Sequence, residues 1–369
     1  MGIKVGGIEL FMGPSVLGGP DDLDSVVRDF VGGAKRSLAV AVQELDSRPV
    51  AEAVLAARAA RLQVRVILEG DYLLESRPSG DPWSLTGDHE TNRVVHAALL
   101  RAGVDVVTDL NPAIFHQKFI VRDPGEPSAA VLTGSANFTR TDTGTNVPGQ
   151  EESAGVTGNN LNHVAILYGR TAARTYLAEF ERMRAGTFGD RHERVEPRPV
   201  EFRLGKVRVK PVFAPRQGPE MEIMKQMLKA ATSIDWAMFT FAKSSGIDDT
   251  MIRLAPALDR LRGVLDRGQG VQRWAATEPL KAAGVELHQN RPGTGVRKLH
   301  HKLMVIDERL VVIGSFNYTG PATTLNDENI IVIGDLEETD PQAEAGQRRI
   351  AAYALAEIDR IVADLAEPV

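Results

Sequence analysis

The sequence predicts an α/β protein of two similar halves, each a mixed β-sheet sandwiched by helices, related by a pseudo-two-fold. Three observations carry this. Helical and strand-like hydrophobic periods alternate along the chain, as layered α/β folds require. The same order of elements recurs after residue 205. The length, 369 residues, matches two units at roughly 100–200 residues each. An apolar fraction of 43% with 25% charged residues is ordinary for a soluble globular protein and excludes disorder as the main state. There is no cysteine, which excludes disulfides, thiolate catalysis, iron–sulfur clusters and Cys-type zinc sites. Net charge is −6, so any polyanion site must be a local basic patch on an acidic body.

The elements follow in order. Residues 23–35 have helical spacing and 36–44 alternate as a strand. A helix opened by Pro49 runs to Arg61, and Leu62–Glu69 is a second strand. Residues 90–102 form a helix closed by Gly103, followed by a strand at Val104–Thr108. Phe119–Arg122 and Ala129–Leu132 read as strands on either side of a turn. In the second half, helix 219–232, strand 233–242, helix 248–262, a short strand near Gly263–Asp266, helix 277–283 and strand Val285–His288 repeat the series. Leu303–Ile306 and Leu310–Ile313 close it, and 343–366 reads as an amphipathic helix against its own sheet. The charged, proline-containing stretch near the midpoint reads as a linker. The domain reading is therefore 1–190, a linker over 191–204, and 205–369.

The first residues have one lysine and no continuous apolar stretch, so no signal peptide is expected. No run of 18 apolar residues suggests a membrane span. A soluble cytoplasmic protein is the expectation.

The two halves share a motif. His116-Gln-Lys118-Phe-Ile-Val-Arg-Asp123 is followed by Gly134-Ser135-Ala-Asn137, and His300-His-Lys302-Leu-Met-Val-Ile-Asp307 by Gly314-Ser315-Phe-Asn317. The histidines lie 184 residues apart, as do the lysines and aspartates. That is half the chain, a duplication rather than a solenoid. On a strand, residues i and i+2 share a face, so each His and Lys project together. Gly-Ser lets a backbone approach a ligand closely. Two copies meeting across a dyad supply two imidazoles, two ammoniums and neutral donors. Only imidazole among them is a good nucleophile at neutral pH. The set suits a phosphodiester: cations and amides neutralise the non-bridging oxygens, one imidazole attacks phosphorus, and the other protonates the leaving oxygen.

These paired motifs resemble the HKD signature of the phospholipase D superfamily, over both halves of the chain. The resemblance implies phosphodiester hydrolysis or transfer through a covalent phosphohistidine, without metal or other cofactor. It makes His116 and His300 the catalytic pair and assigns Lys118, Lys302, Asn137 and Asn317 to the phosphate, helped by Ser135 and Ser315. Asp123 and Asp307 are expected to support the site structurally. Relatives also carry an acid after the second G-S-x-N that holds a catalytic imidazole, and Glu328 matches. The first half has an amide, Asn162, at that position, so the two imidazoles should differ in pKa. His116 is expected to be the nucleophile, oriented by Glu328 reaching across, with His300 as acid and base.

Loops distinguish the halves. Arg140–Asn160 is an insertion rich in Thr and Gly, and Gly70–Thr91 with Trp83 is a candidate rim. His301 should face away from the site, and His163 either joins it or makes a structural hydrogen bond. Trp236 and Trp274 read as core, and the remaining histidines as ordinary. DNA or RNA is the first expectation for substrate, with Arg93, Arg101, Arg140 and Arg297 as candidates for a basic groove. Phospholipid is the second, with contact to a membrane surface. A silent binding scaffold is the third. A monomer is expected because one chain completes the site.

Overall fold

The computed structural model describes residues 2–75, 80–81, 83–85, 87–147, 156–189 and 198–369. The strands of the first half are β1 (Ile3–Val5), β2 (Ile8–Gly13), β3 (Ser37–Val42), β4 (Gln63–Leu68), β5 (Asp105–Thr108), β6 (Lys118–Arg122), β7 (Ala130–Gly134) and β8 (Asn159–Tyr168). Those of the second are β9 (Phe202–Leu204), β10 (Val207–Ala214), β11 (Ser233–Met238), β12 (Arg260–Leu265), β13 (Glu286–Asn290), β14 (Val296–Leu299), β15 (Lys302–Ile306), β16 (Leu310–Gly314), β17 (Glu328–Ile333) and β18 (Ala366–Pro368).

The first sheet runs β1-β2-β8-β7-β6-β3-β4-β5. The second runs β9-β10-β17-β16-β15-β11-β12-β13 and adds β18 at its edge. The two orders correspond strand for strand. In each, the three strands joined by helical crossovers are parallel and the motif strands are antiparallel. The motif strands are apolar on both faces because both faces are covered. Phe119 and Val121 enter a core shared by the two halves, and Ile120 enters the outer core of the first half. Leu303 and Val305 join the shared core, while Met304 and Ile306 join the outer core of the second. Each such buried side chain contributes about 1.5–3 kcal/mol. Helices Arg170–Arg184 and Pro341–Arg360 fill the shared core through Tyr176, Phe180, Ile350 and Ile358.

Several expectations shift. The expected linker overruns at its end, because Phe202–Leu204 already pairs with β10; residues 190–197 lie outside the described set. The helix expected at 248–262 stops at Leu254. Pro256 has no N–H to continue the α-helical bonds, so the chain passes through a 3-10 turn at Ala255–Ala257 and enters β12 early. The C-terminal helix meets its expected extent: Pro341–Arg360 is α-helical and continues as a π turn over Ile361–Leu365, after which Ala366–Pro368 pairs at the sheet edge. Trp236 is core, but Trp274 is 43% exposed. Parts of both loop expectations, 76–79, 82, 86 and 148–155, are outside the described residues.

Candidate active site

The segment entering each motif strand pairs with the other half. Phe115 bridges Asp327, and the His116 N–H donates to the Asp327 carbonyl at 2.9 Å. Symmetrically, β14 pairs with β8 through Leu299 and Leu161, and the His300 N–H donates to the Leu161 carbonyl at 2.9 Å. Each motif histidine is thus delivered onto a strand of the opposite sheet, and both line one cleft of about 1330 Å³ at the interface.

That exchange sets each ring's partner. His116 Nδ1 lies 2.6 Å from Glu328 Oε2. His300 Nδ1 lies 2.9 Å from Asn162 Oδ1, which also accepts from Ser135 Oγ at 2.8 Å. An amide or carboxylate oxygen can only accept here, so both neutral rings carry their proton on Nδ1 and keep the Nε2 lone pair free. Burial pushes His116 down to about 4, with Glu328 acting against it and Lys118 adding to it. Burial and then Lys302, Lys118 and Lys298 hold His300 well below the ordinary imidazole range. The Asp142 carboxylate stands farther off, with Oδ2 3.8 Å from His300 Nδ1.

Both motif ammoniums are buried. Lys118 Nζ donates to the His116 carbonyl and Gln43 Oε1, and Lys302 Nζ to the His300 carbonyl. Burial lowers Lys118 to about 8 and holds Lys302 well below the usual amine range. The two cations repel each other and the imidazoles. Asn137 and Asn317 line the cleft. Ser135 and Ser315 do not: they are fully buried, and their hydroxyls accept the N–H groups of His163 and Asn329. The two motif aspartates sit at the far ends of their strands with left-handed backbone (φ 49° and 51°). Asp123 accepts the N–H groups of Lys35, Arg36 and Ser37, and Asp307 those of Ala231, Thr232 and Ser233. They tie the end of the motif strand to the start of its neighbour.

The cleft walls differ. At the end of β3 the first half presents Gln43, Glu44 and Asp46; at the matching end of β11 the second presents Phe239, Thr240 and Ala242. Asp88, Glu90 and Asp142 extend the acidic wall, while Trp274 and Pro321 extend the other. Burial, with Asp46 and Asp142 nearby, raises Glu44 to about 8, and burial raises Asp46 to about 6. The Phe239 ring stands 5.0 Å from the His300 ring, with Lys302 and Lys298 Nζ 5.0 and 5.3 Å from its centroid. Of the arginines expected to form a basic groove, Arg297 lines the cleft, with Lys298 beside it. Arg93 is engaged by Glu90 and Glu75.

The family model described as cardiolipin synthase, PLD-like domain, matches residues 27–184 and 223–345. The chain belongs to the phospholipase D superfamily. It is 31% identical over 98 residues to a mitochondrial cardiolipin hydrolase of Chlamydomonas reinhardtii, covering 27% of this chain and 42% of that one. It is 31% identical over 129 residues to a phospholipase D of Rickettsia conorii, covering 33% and 60%. The chain therefore spans about half the length of these relatives. The fold is similar to that of a phosphatidylserine synthase from Haemophilus influenzae, with TM-score 0.66 and 11% identity over 100% of this chain and 88% of the other.

Sequence reasoning missed three features of this phospholipase D-like site. Asp142 caps the G-S-x-N turn by accepting the Asn137 N–H at 2.7 Å, and Asn160 Nδ2 donates to it. Its place in the second half is taken by Ala322, so the duplication offered no signal. The wall residues Glu44 and Phe239 follow strand ends that the motif does not reach. His89, read as ordinary, lines the cleft against Tyr72. Among the described residues no helix is long and apolar enough to cross a membrane.

Proposed function

We propose that this chain is a phosphodiesterase that hydrolyses or exchanges the headgroup of a phospholipid through a covalent phosphohistidine. The observation carrying the chemistry is the meeting of His116 and His300 on one cleft, each with Nε2 free and Nδ1 engaged by the opposite half. The Nε2 lone pair of His116 attacks phosphorus and the P–O bond to the leaving alcohol breaks. Protonated His300 delivers its proton to that oxygen. His300 then takes a proton from water or a second alcohol, whose oxygen displaces His116 and breaks the P–N bond. Entry of the anionic phosphate offsets the Lys118 and Lys302 charges that depress His300, so substrate itself raises His300 into the range where it can act as an acid.

The cleft walls and the relatives' names favour lipid over nucleic acid, the first expectation from the sequence. A nucleic acid carries similar arms and further phosphates on both sides of the reacting one. Here one wall bears Glu44, Asp46, Asp88 and Glu90 and the other Phe239 and Trp274. An asymmetric diester, with one polar and one apolar arm, fits two unlike walls.

The test offers mixed vesicles containing cardiolipin, phosphatidylglycerol and phosphatidylethanolamine, and in parallel labelled single- and double-stranded DNA, all in EDTA. Headgroup release by wild type and not by His116→Asn supports the reading. DNA cleavage that depends on His116, with no headgroup release, overturns it in favour of a nuclease.

A further inference from the structure

Behind the catalytic imidazoles lies a second pair that the mechanism above does not use. His163 and His301, both fully buried, meet across the interface with Nδ1 atoms 3.1 Å apart and rings within 5° of parallel. Their protons can be placed. The Gly314 N–H donates to His163 Nε2 at 3.2 Å, so that nitrogen carries a lone pair. A neutral His163 then has its proton on Nδ1 and donates it to His301 Nδ1. His301 in turn carries its proton on Nε2, 3.4 Å from Glu357 Oε1. Glu357 is held by Arg360 at 2.7 and 2.9 Å, and Arg360 donates to the Leu17 carbonyl of the first half. The chain of bonds runs in one direction and uses both rings in the neutral form.

The pseudo-dyad places a different pair at the corresponding point behind His116. There Asn329 Nδ2 donates to Gln117 Oε1 at 2.7 Å, and Gln117 Nε2 donates to the Glu328 carbonyl. Gln117 corresponds to His301 and Asn329 to His163. An amide pair does the joining in one half-site and an imidazole pair in the other.

We propose that the His163–His301 pair is a positioning unit for His300 that works only while both rings are neutral. His163 follows Asn162 and His301 follows His300, so the pair bonds the neighbours of the two residues whose own bond orients the catalytic ring. Its third bond reaches Gly314, at the start of the turn that carries Asn317 to the cleft. An added proton has no place in this chain. On His301 Nδ1 it faces the proton of His163. Shifting the His163 proton to Nε2 sets it against the Gly314 N–H. Either way a buried bond is lost next to the reacting ring. The charged groups around the pair are Glu357 and Arg360 from helix Pro341–Arg360 and Lys302 from β15. Glu357 favours a proton, while burial, Arg360 and Lys302 oppose it, and both rings are held below the ordinary imidazole range.

The proposal rests on the reading of His300 as acid and base, and its test has readouts that do not need turnover. The double variant His163→Asn/His301→Gln copies the amide pair of the other half. It is expected to keep kcat within about 3-fold of wild type at pH 8, whereas His301→Ala loses about 10- to 100-fold in kcat with KM unchanged. On acidification from pH 8 to 5 the double variant is expected to retain several-fold more of its activity than wild type does. Its Tm should fall about 2 °C less over the same range, because the neutral buried rings of wild type bind fewer protons than the unfolded chain does below about pH 6.5. Nitrogen-15 NMR of the wild type should show the Nδ1–H form for His163 and the Nε2–H form for His301. Opposite tautomers, or equal acid sensitivity of Tm in the two proteins, overturn the proposal. If wild type turns over no phosphodiester, the functional reading fails while the tautomers and the Tm comparison still decide this one.

Discussion

Around His116 the interface brings a carboxylate, Glu328, backed by an amide pair; around His300 it brings an amide, Asn162, backed by an imidazole pair. The skeletons are the same: strand order, crossing main-chain bonds, buried lysine and G-S-x-N turn all repeat. The electrostatics are not. A carboxylate bonded to Nδ1 stabilises positive charge on the ring, which a phosphorylated imidazole carries, whereas an amide stabilises it less. The difference fits His116 as the ring that holds the phosphoryl group and His300 as the ring that gains and loses a proton.

The largest test of this division replaces each ring by asparagine. Both His116→Asn and His300→Asn should lose on the order of 10^4-fold or more in turnover. Only His300→Asn should retain label from a phosphodiester substrate, at His116. Label trapped on His300 in the His116 variant would invert the assignment. Next in size is the orienting pair. Glu328→Gln is expected to lower kcat about 10^2- to 10^4-fold, and Asn162→Ala by less. Asn162→Asp should move the acid limb of the pH profile upward, since a carboxylate would then raise His300 toward the ordinary range. Equal losses in Glu328→Gln and Asn162→Ala would erase the distinction between the half-sites.

A smaller effect concerns Lys118. Burial brings it down to about 8, so it is charged below that pH and neutral above it. KM for the anionic substrate should rise as pH climbs past about 8, unless Lys118→Arg, which stays charged, is used. The smallest is structural. Asp123→Asn and Asp307→Asn should each cost about 1–3 kcal/mol in urea unfolding, through weakened bonds to main-chain N–H groups. Both carboxyls are held below their ordinary range. Their contribution is therefore present above about pH 3.9 and lost as pH falls below it.

Much of this was legible in the sequence. The 184-residue spacing announced the duplication, and i, i+2 alternation put His and Lys on one side of each motif strand. The contrast between Glu328 and Asn162 was visible as a departure from symmetry. What spacing could not show is that Phe115 and Leu299 pair with the opposite half, because strand exchange leaves no periodic signature. Both hairpins at the sheet edges were readable but missed. Gly6 and Gly205 take left-handed backbone at two-residue turns, a strong hairpin signal. The cleft walls were not readable, since Glu44 and Phe239 owe their position to strand ends. Nor was Asp142, whose equivalent is an alanine.

The crossing of orienting residues has a consequence for how such a site can diverge. In a symmetric dimer of identical chains, any change to an orienting position strikes both imidazoles at once. Glutamate here and asparagine there could not coexist. Joining two copies in one polypeptide released the two positions from each other. Each ring could then acquire its own partner through substitutions in the half to which it does not belong.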